Sequence, residues 1–277
     1  MADTVPPIYL ATAVQAVIRA GAMQLAGIDH LHIEKKGAID LVTQIDRDVE
    51  TMFRALIAER FPDHRVLAEE FAVRGDRDRE SEYTWVFDPV DGTTNYAHGL
   101  PIFCSAASLE RRTVDGDGLA RNEPIVAAIY DPSRKELFTA EKGNGAWLNG
   151  APMRVSSAAA LIDSLLCTGF PYNVQTDGDY LVALFGDFLR TSRAVRRLGS
   201  AAIDLAYVAC GRFDGFWEAR LNPWDISAGA LMIVEAGGRV TGLDGAPFDS
   251  RRGEIVASNG RVHGQMLDVI RNRKRTD

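Results

Sequence analysis

The residues best suited to chemistry lie in one stretch, WVFDPVDGTTNY, running from Trp85 to Tyr96. An apolar run ends in Asp88 and Asp91, and Gly92, Thr93 and Thr94 follow at once. A strand end fixes side chains in space, as metal ligands require. The carbonyl of Val90 lies between the two aspartates as a further oxygen donor. Gly92 and Thr93 then begin a helix or tight turn, whose outward N–H groups suit phosphate. The plainer alternative is an Asx-turn with a helix cap, but a cap uses one aspartate and not two.

Other carboxylates are candidates to join them. LAEEF carries Glu69 and Glu70 after a short apolar run. One of such a pair points inward and the other outward, although an isolated Glu pair is most often a solvated edge. NPWDISAGALMIVEAGG places Asp225 at the start of an apolar helix, where an N-cap explains it as well as a ligand does. Asp40 and Asp46 bracket DLVTQID, and Asp46 can simply cap the helix it opens.

Taken together, these segments resemble something specific. WVFDPVDGTTNY paired with NPWDISAGALMIVEAGG is similar to the two signature motifs of the inositol monophosphatase family. DLVTQID, AEEF, GNGAWLNG, TGFPY and LGSAAIDLAYVACGRFDGFWE resemble family segments in the same order, from about residue 8 to residue 270. GNGAWLNG sits between strands and opens no helix, so it is not a dinucleotide loop.

The resemblance implies an αβαβα layered sandwich of the sugar-phosphatase type and a Mg2+-dependent phosphomonoesterase. Glu69, Asp88 and the Val90 carbonyl would hold one Mg2+; Asp88, Asp91 and Asp225 a second; a third, weaker ion would sit near Glu69. Oxygen donors without His or Cys suit Mg2+ over Zn2+. Thr93, hydrogen-bonded to Asp46, would orient a metal-activated water for in-line attack on phosphorus. The N–H groups of Gly92 and Thr93 would bind phosphate oxygens. Asp46, Glu69, Asp88, Asp91 and Asp225 are all present, which argues against a dead homologue.

For substrate, the resemblance points to inositol 1-phosphate or a close polyol phosphate. Asp91 and Glu218 would accept hydroxyl hydrogen bonds, with the Ser200–Ala201 backbone alongside. Glu218 lies seven residues before Asp225, as in polyol-binding members; alternatively it pairs with a basic neighbour such as Arg220. Lys36 would stand near the entrance or the third ion, with Lys35 as its rival and an ordinary surface lysine as the plain reading. The same chemistry on 3′-phosphoadenosine 5′-phosphate, fructose 1,6-bisphosphate or histidinol phosphate is the alternative. A binding protein associated with ribosomal RNA transcription is the non-enzymatic one. Three features depart from the family: AEEF for a Gly-Glu-Glu start, Arg220 where many relatives have Gly, and a longer hairpin around DGDG, expected to alter the entrance.

The elements that must carry these residues can be read from periodicity. Apolar spacing predicts helices from Pro7, from Asp46 to Pro62, over Asp179–Leu189, Ser200–Cys210, Asp225–Ala236 and His263–Arg273. A strand or hairpin is expected over GAIDLVTQID. Strands are expected over TWVFD, FCSAASLE, PIVAAIYD, ELFTAEK, AWLNG, LLCTGF, FDGFWE and EIVASN. Residues 74–82 read as a charged, mobile loop and 113–123 as a hairpin tip. The picture is one catalytic domain over 1–277. Its half at about 1–150 carries helices, antiparallel sheet and the metal ligands; the half at about 151–277 is mixed α/β and carries substrate recognition.

Whole-chain properties bound the rest. The chain has 277 residues, 46% hydrophobic and 25% charged, as in an ordinary globular protein. A net charge of −7 argues against nucleic acid as the main partner. It does not exclude a phosphorylated small molecule, because bound cations invert the local field. Cys104, Cys167 and Cys210 are widely spaced and odd in number, and are read as reduced core residues. The N-terminus lacks a signal-peptide pattern, and no apolar run approaches the roughly 20 residues of a membrane span. A cytoplasmic setting is expected, and the resemblance adds a homodimer and lithium sensitivity. The C-terminal RNRKR reads as a frayed helix end or a dock for RNA or an acidic partner.

Overall fold

The computed structural model describes residues 5–28, 33–35, 41–71, 81–114, 120–171, 173–176 and 178–273. Lys36, Asp40, most of the charged loop and the hairpin tip at 115–119 lie outside them, as do the last four residues, so the expectations placed on them are not addressed.

In chain order, α1 (Pro7–Gly27) is followed by β1 (Ile33–Lys35), β2 (Leu41–Thr43) and α2 (Gln44–Arg60). Next come β3 (Arg65–Ala68), β4 (Tyr83–Asp91), the short α3 (Thr93–Ala97), β5 (Cys104–Val114) and β6 (Ala120–Asp131). Then β7 (Glu136–Glu141), β8 (Gly145–Leu148), β9 (Ala151–Pro152) and β10 (Leu165–Thr168) lead to α4 (Asp179–Thr191). The last stretch holds β11 (Ala194–Arg196), α5 (Ala201–Ala209), β12 (Gly215–Ala219), α6 (Pro223–Glu235), β13 (Arg239–Thr241), β14 (Glu254–Ser258) and α7 (His263–Asn272).

These elements stack in five layers, as the sequence led one to expect. Helices α1 and α2 cover one face of a seven-stranded sheet ordered β3-β4-β5-β6-β7-β8-β9. Helices α5 and α6 lie between that sheet and a five-stranded one ordered β11-β10-β12-β14-β13, and α4 and α7 close the far side. The large sheet is antiparallel except for β3 beside β4; the small one is mixed. Apolar clusters fill each gap: Phe53, Trp85 and Phe87 under α2, Ile129, Phe138 and Ile233 between the sheets, Phe188, Trp217 and Met266 under α4 and α7.

Helix α1 is long and apolar enough, by length and composition, to cross a membrane. Its packing accounts for that composition: Ala13, Ala16, Val17 and Ala20 are fully buried on the β5–β6 face. Small residues let it lie close, and a Cβ at Gly21 would strike the Tyr130 ring at 2.6 Å.

Strand β4 is buried along nearly its whole length because helices cover both faces; such strands read as continuous apolar runs. Its end contains the feature that makes a site. Successive strand residues face opposite ways, so Asp88 and Asp91 on a regular strand would point apart. The register slips there: Asp88 pairs with Ala106 and Asp91 with Cys104, leaving three steps on β4 against two on β5. This bulge restores the parity and turns both carboxylates to one side. Pro89, which has no N–H to lose, occupies it. Its carbonyl accepts from Gln24 Nε2 and Ser105 Oγ, both at 2.8 Å, so α1 holds the bulge in place.

Several element bounds differ from the periodicity reading. Helix α2 starts at Gln44, which makes Asp46 its third residue rather than its cap, and α6 starts at Pro223, which does the same for Asp225. Strands β3, β11 and β13 have at most four residues, too few for alternation to be legible. The described strands β5 and β6 meet the acidic cluster at one end and the hairpin at the other. Cys104 pairs beside Asp91 while Val114 lies at the other end of β5, roughly 30 Å away at strand rise.

Candidate active site

A single cavity gathers Glu69, Asp88, Val90, Asp91, Gly92, Thr93, Ser200, Ala201, Glu218 and Asp225. Asp46 is not among its lining residues and stands behind Thr93. Glu69 faces the cavity and its neighbour Glu70 does not line it.

Helix N-termini supply two of the carboxylates. In α2, Asp46 Oδ2 accepts from the Thr43 N–H at 2.8 Å and the Thr43 hydroxyl at 2.5 Å. In α6, Asp225 Oδ2 accepts from the Asn222 N–H at 2.6 Å. Both are capping boxes, so the capping explanation of these residues is true of one oxygen only. Asp46 Oδ1 stands 3.4 Å from the Thr93 hydroxyl. That hydroxyl donates more closely, at 2.8 Å, to the Val90 carbonyl, so two acceptors compete for one proton.

Asp91 is held from the other half of the chain. Its Oδ2 accepts from Ser200 Oγ and from the Ala202 N–H, each at 2.6 Å, with the Cys104 thiol at 3.8 Å. The N-terminus of α5 therefore orients Asp91, a favourable place for a negative charge, and leaves Oδ1 for the cavity. The Ser200 hydroxyl, expected near substrate only through its backbone neighbourhood, is spent on this task. Asp88 Oδ1 accepts from the Val90 N–H at 3.0 Å, which closes the bulge.

Gly92 links strand to helix with φ +90°, and a Cβ there would meet the Ile102 carbonyl at 2.8 Å. Both conformation and space demand glycine. Asn95 Nδ2 donates to the carbonyls of Ile102 and Leu198, tying α3 to the turn before α5.

The electrostatics are those of a largely buried acid cluster. Burial first, then the charges of Glu69, Asp91, Asp225 and Asp46, push Asp88 well above the ordinary carboxylate range. Burial and Asp91 do the same to Asp225. Burial raises Asp91 too, against the pull of its Ser200 and α5 hydrogen bonds. Repelling carboxylates in one cavity are stable as anions only with cations among them. The donors are all carboxylate or carbonyl oxygens, a set that fits Mg2+ or another hard ion. Among the described residues, no three acidic, His or Cys side chains converge tightly on one point, so the carboxylates frame the cavity rather than close on its centre.

Glu218 is pushed to about 8 by burial and by Asp91, against the opposing pull of Arg197 and a Gly169 N–H. The cation acting on it is Arg197, while Arg220, the basic neighbour of the plainer reading, donates from Nη1 to Asn173 Oδ1 at 3.1 Å. Gly169 explains the glycine of TGFPY, since a Cβ there would lie 2.4 Å from Glu218 Oε2.

Several participants escaped sequence reading. Asp204 lines the cavity, is 1% exposed, and its Oδ1 has no hydrogen-bond partner. Burial, Glu218 and Asp91 drive its carboxyl well up. The charged residue inside the apolar run AAIDLAYVA was the available signal. Glu50 is fully buried and accepts from the Glu70 N–H at 2.6 Å and the Phe71 N–H at 3.1 Å, fixing the segment that presents Glu69. Gln24 reads as an ordinary polar helix position and offered no signal. Arg197 and Arg220 also line the cavity.

A layered sandwich with this acidic cavity defines a class of phosphatases, and comparison with known proteins places the chain within it. Residues 8–275 match the inositol monophosphatase family, and the chain belongs to that family. It is 42% identical to the inositol-1-monophosphatase of Synechocystis over 95% of this chain and 88% of that one. It is 38% identical to the putative Nus factor SuhB of Neisseria meningitidis serogroup B over 95% and 97%. The solved inositol monophosphatase of Anabaena superposes with a TM-score of 0.84 at 38% identity, covering 97% of each chain. An IMPase/NADP phosphatase solved with Mg2+ and phosphate gives 0.77 at 26% identity, covering 91% and 90%.

Proposed function

We propose that the chain is a Mg2+-dependent phosphomonoesterase acting on inositol 1-phosphate or a close polyol phosphate. The observation that carries this reading is that Glu69, Asp88, Asp91, Asp225 and Glu218 line one cavity beside the N-terminus of α3. Glu69, Asp88, Asp91, Asp225 and the Val90 carbonyl would hold two to three Mg2+ ions. Those ions supply charge neutralisation and water activation for a phosphate ester that is very slow to hydrolyse unaided. The chain's own groups do the positioning. Gly92 and Thr93 present N–H groups to phosphate oxygens, and Thr93, poised between Val90 and Asp46, orients the attacking water and takes part in moving its proton. Glu218 and Asp91 accept hydroxyl hydrogen bonds from the polyol, which selects it over a simple ester. Lys36 remains the proposed basic group near the entrance.

One outcome decides the reading: Mg2+-dependent phosphate release from inositol 1-phosphate, set against 3′-phosphoadenosine 5′-phosphate, fructose 1,6-bisphosphate and histidinol phosphate. A lead of tenfold or more in kcat/KM is expected, and Asp91→Asn should abolish it. A lead for another substrate keeps the chemistry and refutes the Glu218 assignment. Lithium inhibition, a homodimer by light scattering and a cytoplasmic setting belong to the same proposal. The relatives named as Nus factor SuhB favour a second role in transcription complexes. Binding to transcription machinery that survives Asp91→Asn would support it.

A further inference from the structure

Two fully buried glutamates, Glu50 and Glu110, stand outside the cavity lining. Each pairs with an arginine that reaches in from a partly exposed position, Arg54 or Arg251. Glu50 sits on α2, one turn after Asp46. Its Oε2 accepts from the Glu70 N–H at 2.6 Å, and its Oε1 from the Phe71 N–H at 3.1 Å and Arg54 Nε at 2.7 Å. Arg54 Nη2 donates in turn to the Phe71 carbonyl at 2.7 Å. The pairing of β3 with β4 ends at Ala68, so this grip begins where the ladder stops and holds the residues next to Glu69.

Glu110 sits on β5, which packs against α6. Its Oε1 accepts from Ser227 Oγ at 2.7 Å and Ser250 Oγ at 3.0 Å, and its Oε2 from Arg251 Nη2 at 2.7 Å. Ser227 belongs to α6, two residues past Asp225, and its hydroxyl oxygen accepts from Ser108 Oγ at 2.8 Å. The start of α6 is thereby fastened to two positions of β5 and to the short turn at Ser250–Arg252. Both glutamates thus accept three hydrogen bonds on two oxygens.

Stability alone does not account for this pattern. A buried carboxylate–guanidinium pair is often no more stabilising than apolar residues of the same volume. What it supplies is direction, because an acceptor-only group with two oxygens fixes several donors at once. Asp88 and Asp91 are set by the β4 bulge, whereas Glu69 and Asp225 come from other segments, and those are the segments the two glutamates grip. Carboxylates that repel one another draw apart unless they are held, and a donor already in place loses less freedom on binding. We propose that Glu50 and Glu110 are positioning residues that preset Glu69 and Asp225 for cations, and so govern ion affinity rather than the chemical step. The inference deepens the phosphomonoesterase reading above and rests on it.

The test titrates Mg2+ on the wild type, Glu50→Gln, Glu110→Gln, Arg54→Gln and Ser227→Ala, with His263→Gln as a control that loosens the small sheet. One readout is kcat and the Mg2+ half-saturation for phosphate release from inositol 1-phosphate. The other is the Mg2+ concentration giving half the maximal rise in melting temperature, which needs no substrate. In the two glutamate variants one oxygen must serve three donors, so the grip slackens. Arg54→Gln and Ser227→Ala slacken it with the carboxylate intact, and they decide the matter if a glutamate variant does not fold. Both half-saturations should rise about tenfold in the glutamate variants and about threefold in the other two, with kcat at saturating Mg2+ within about threefold of the wild type. His263→Gln should melt lower with neither half-saturation moved. Half-saturations unmoved in every folded variant overturn the proposal and leave the glutamates as scaffold. So does a loss of kcat that saturating Mg2+ does not restore, or an equal rise in His263→Gln, which would mark general loosening. A wild type with neither Mg2+-dependent release nor a Mg2+ shift in melting refutes the phosphatase reading itself, and this one falls with it.

Discussion

The N-termini of α2 and α6 use the same local device for different ends. Each has a polar cap, Thr43 or Asn222, and an aspartate at the third helical position whose Oδ2 accepts the cap's N–H. In α2 the box is closed and dry: Asp46 is fully buried, Thr43 adds its hydroxyl, and the remaining oxygen meets Thr93. In α6 the box is open: Asp225 is only partly buried and lines the cavity beside Asp88 and Asp91. A capping box thus delivers one carboxylate oxygen at a fixed angle, and the surroundings decide whether it faces a buried hydroxyl or an acidic cavity.

The sharpest way to break this comparison is Asp225→Asn. An amide oxygen can still accept the Asn222 N–H, so the melting temperature should stay within about 2 °C. Activity should fall by roughly 10³-fold or more, because one of the proposed cation ligands is lost. Mg2+ should raise the wild-type melting temperature more than that of the variant, since a ligand bound only to the folded state stabilises it. A variant that melts early and loses activity only in proportion would make Asp225 primarily a cap.

Asp46→Asn should invert the balance. Its loss of kcat is expected near 10²-fold, the scale of an impaired proton-handling group. Its stability cost is about 1–2 kcal/mol, because a buried acceptor of two bonds is weakened. Chemical denaturation and steady-state kinetics on one preparation check both.

Acid distinguishes the layers behind the two boxes. His263, 0% exposed, bonds Thr241 and Ser258 in the small sheet. Burial and the Arg239 charge lower its pKa to about 4. The neutral ring is favoured in the fold, so its contribution is complete above pH 6.5. It is lost as pH falls toward 4 while the unfolded chain takes up the proton. The loss should be about 3 kcal/mol, and His263→Gln should flatten that part of the stability–pH curve.

The smallest effects belong to the caps. Thr43→Ala and Asn222→Ala should each cost about 1 kcal/mol. The activity loss should be under about tenfold, and larger for Thr43, whose hydroxyl also restrains Asp46. Equal losses at both sites would remove the distinction between closed and open boxes.

Much of this was legible in the chain. DPVDGT and WD with its apolar helix located the carboxylates, and period 3.6 and period 2 located most helices and long strands. What stayed hidden depended on partners distant in sequence. Nothing local distinguishes Gln24 from a surface glutamine until α1 lies on the β4 bulge. Glu50 reads as one more helix acid until Glu70 and Phe71 turn their N–H groups to it. Arg220 was visible as a departure, but its left-handed backbone and its place at the cavity mouth were not.

By itself, then, the sequence determined the kinds of donor, their order and the elements that carry them, because residue chemistry and periodicity are local. Only the tertiary structure decided that Asp88 and Asp91 face one way, that the N-terminus of α5 holds Asp91 from 109 residues away, and which oxygen of each carboxylate is left for chemistry. Those outcomes rest on register, on helix ends meeting a strand end, and on burial, which exist only after the layers have packed.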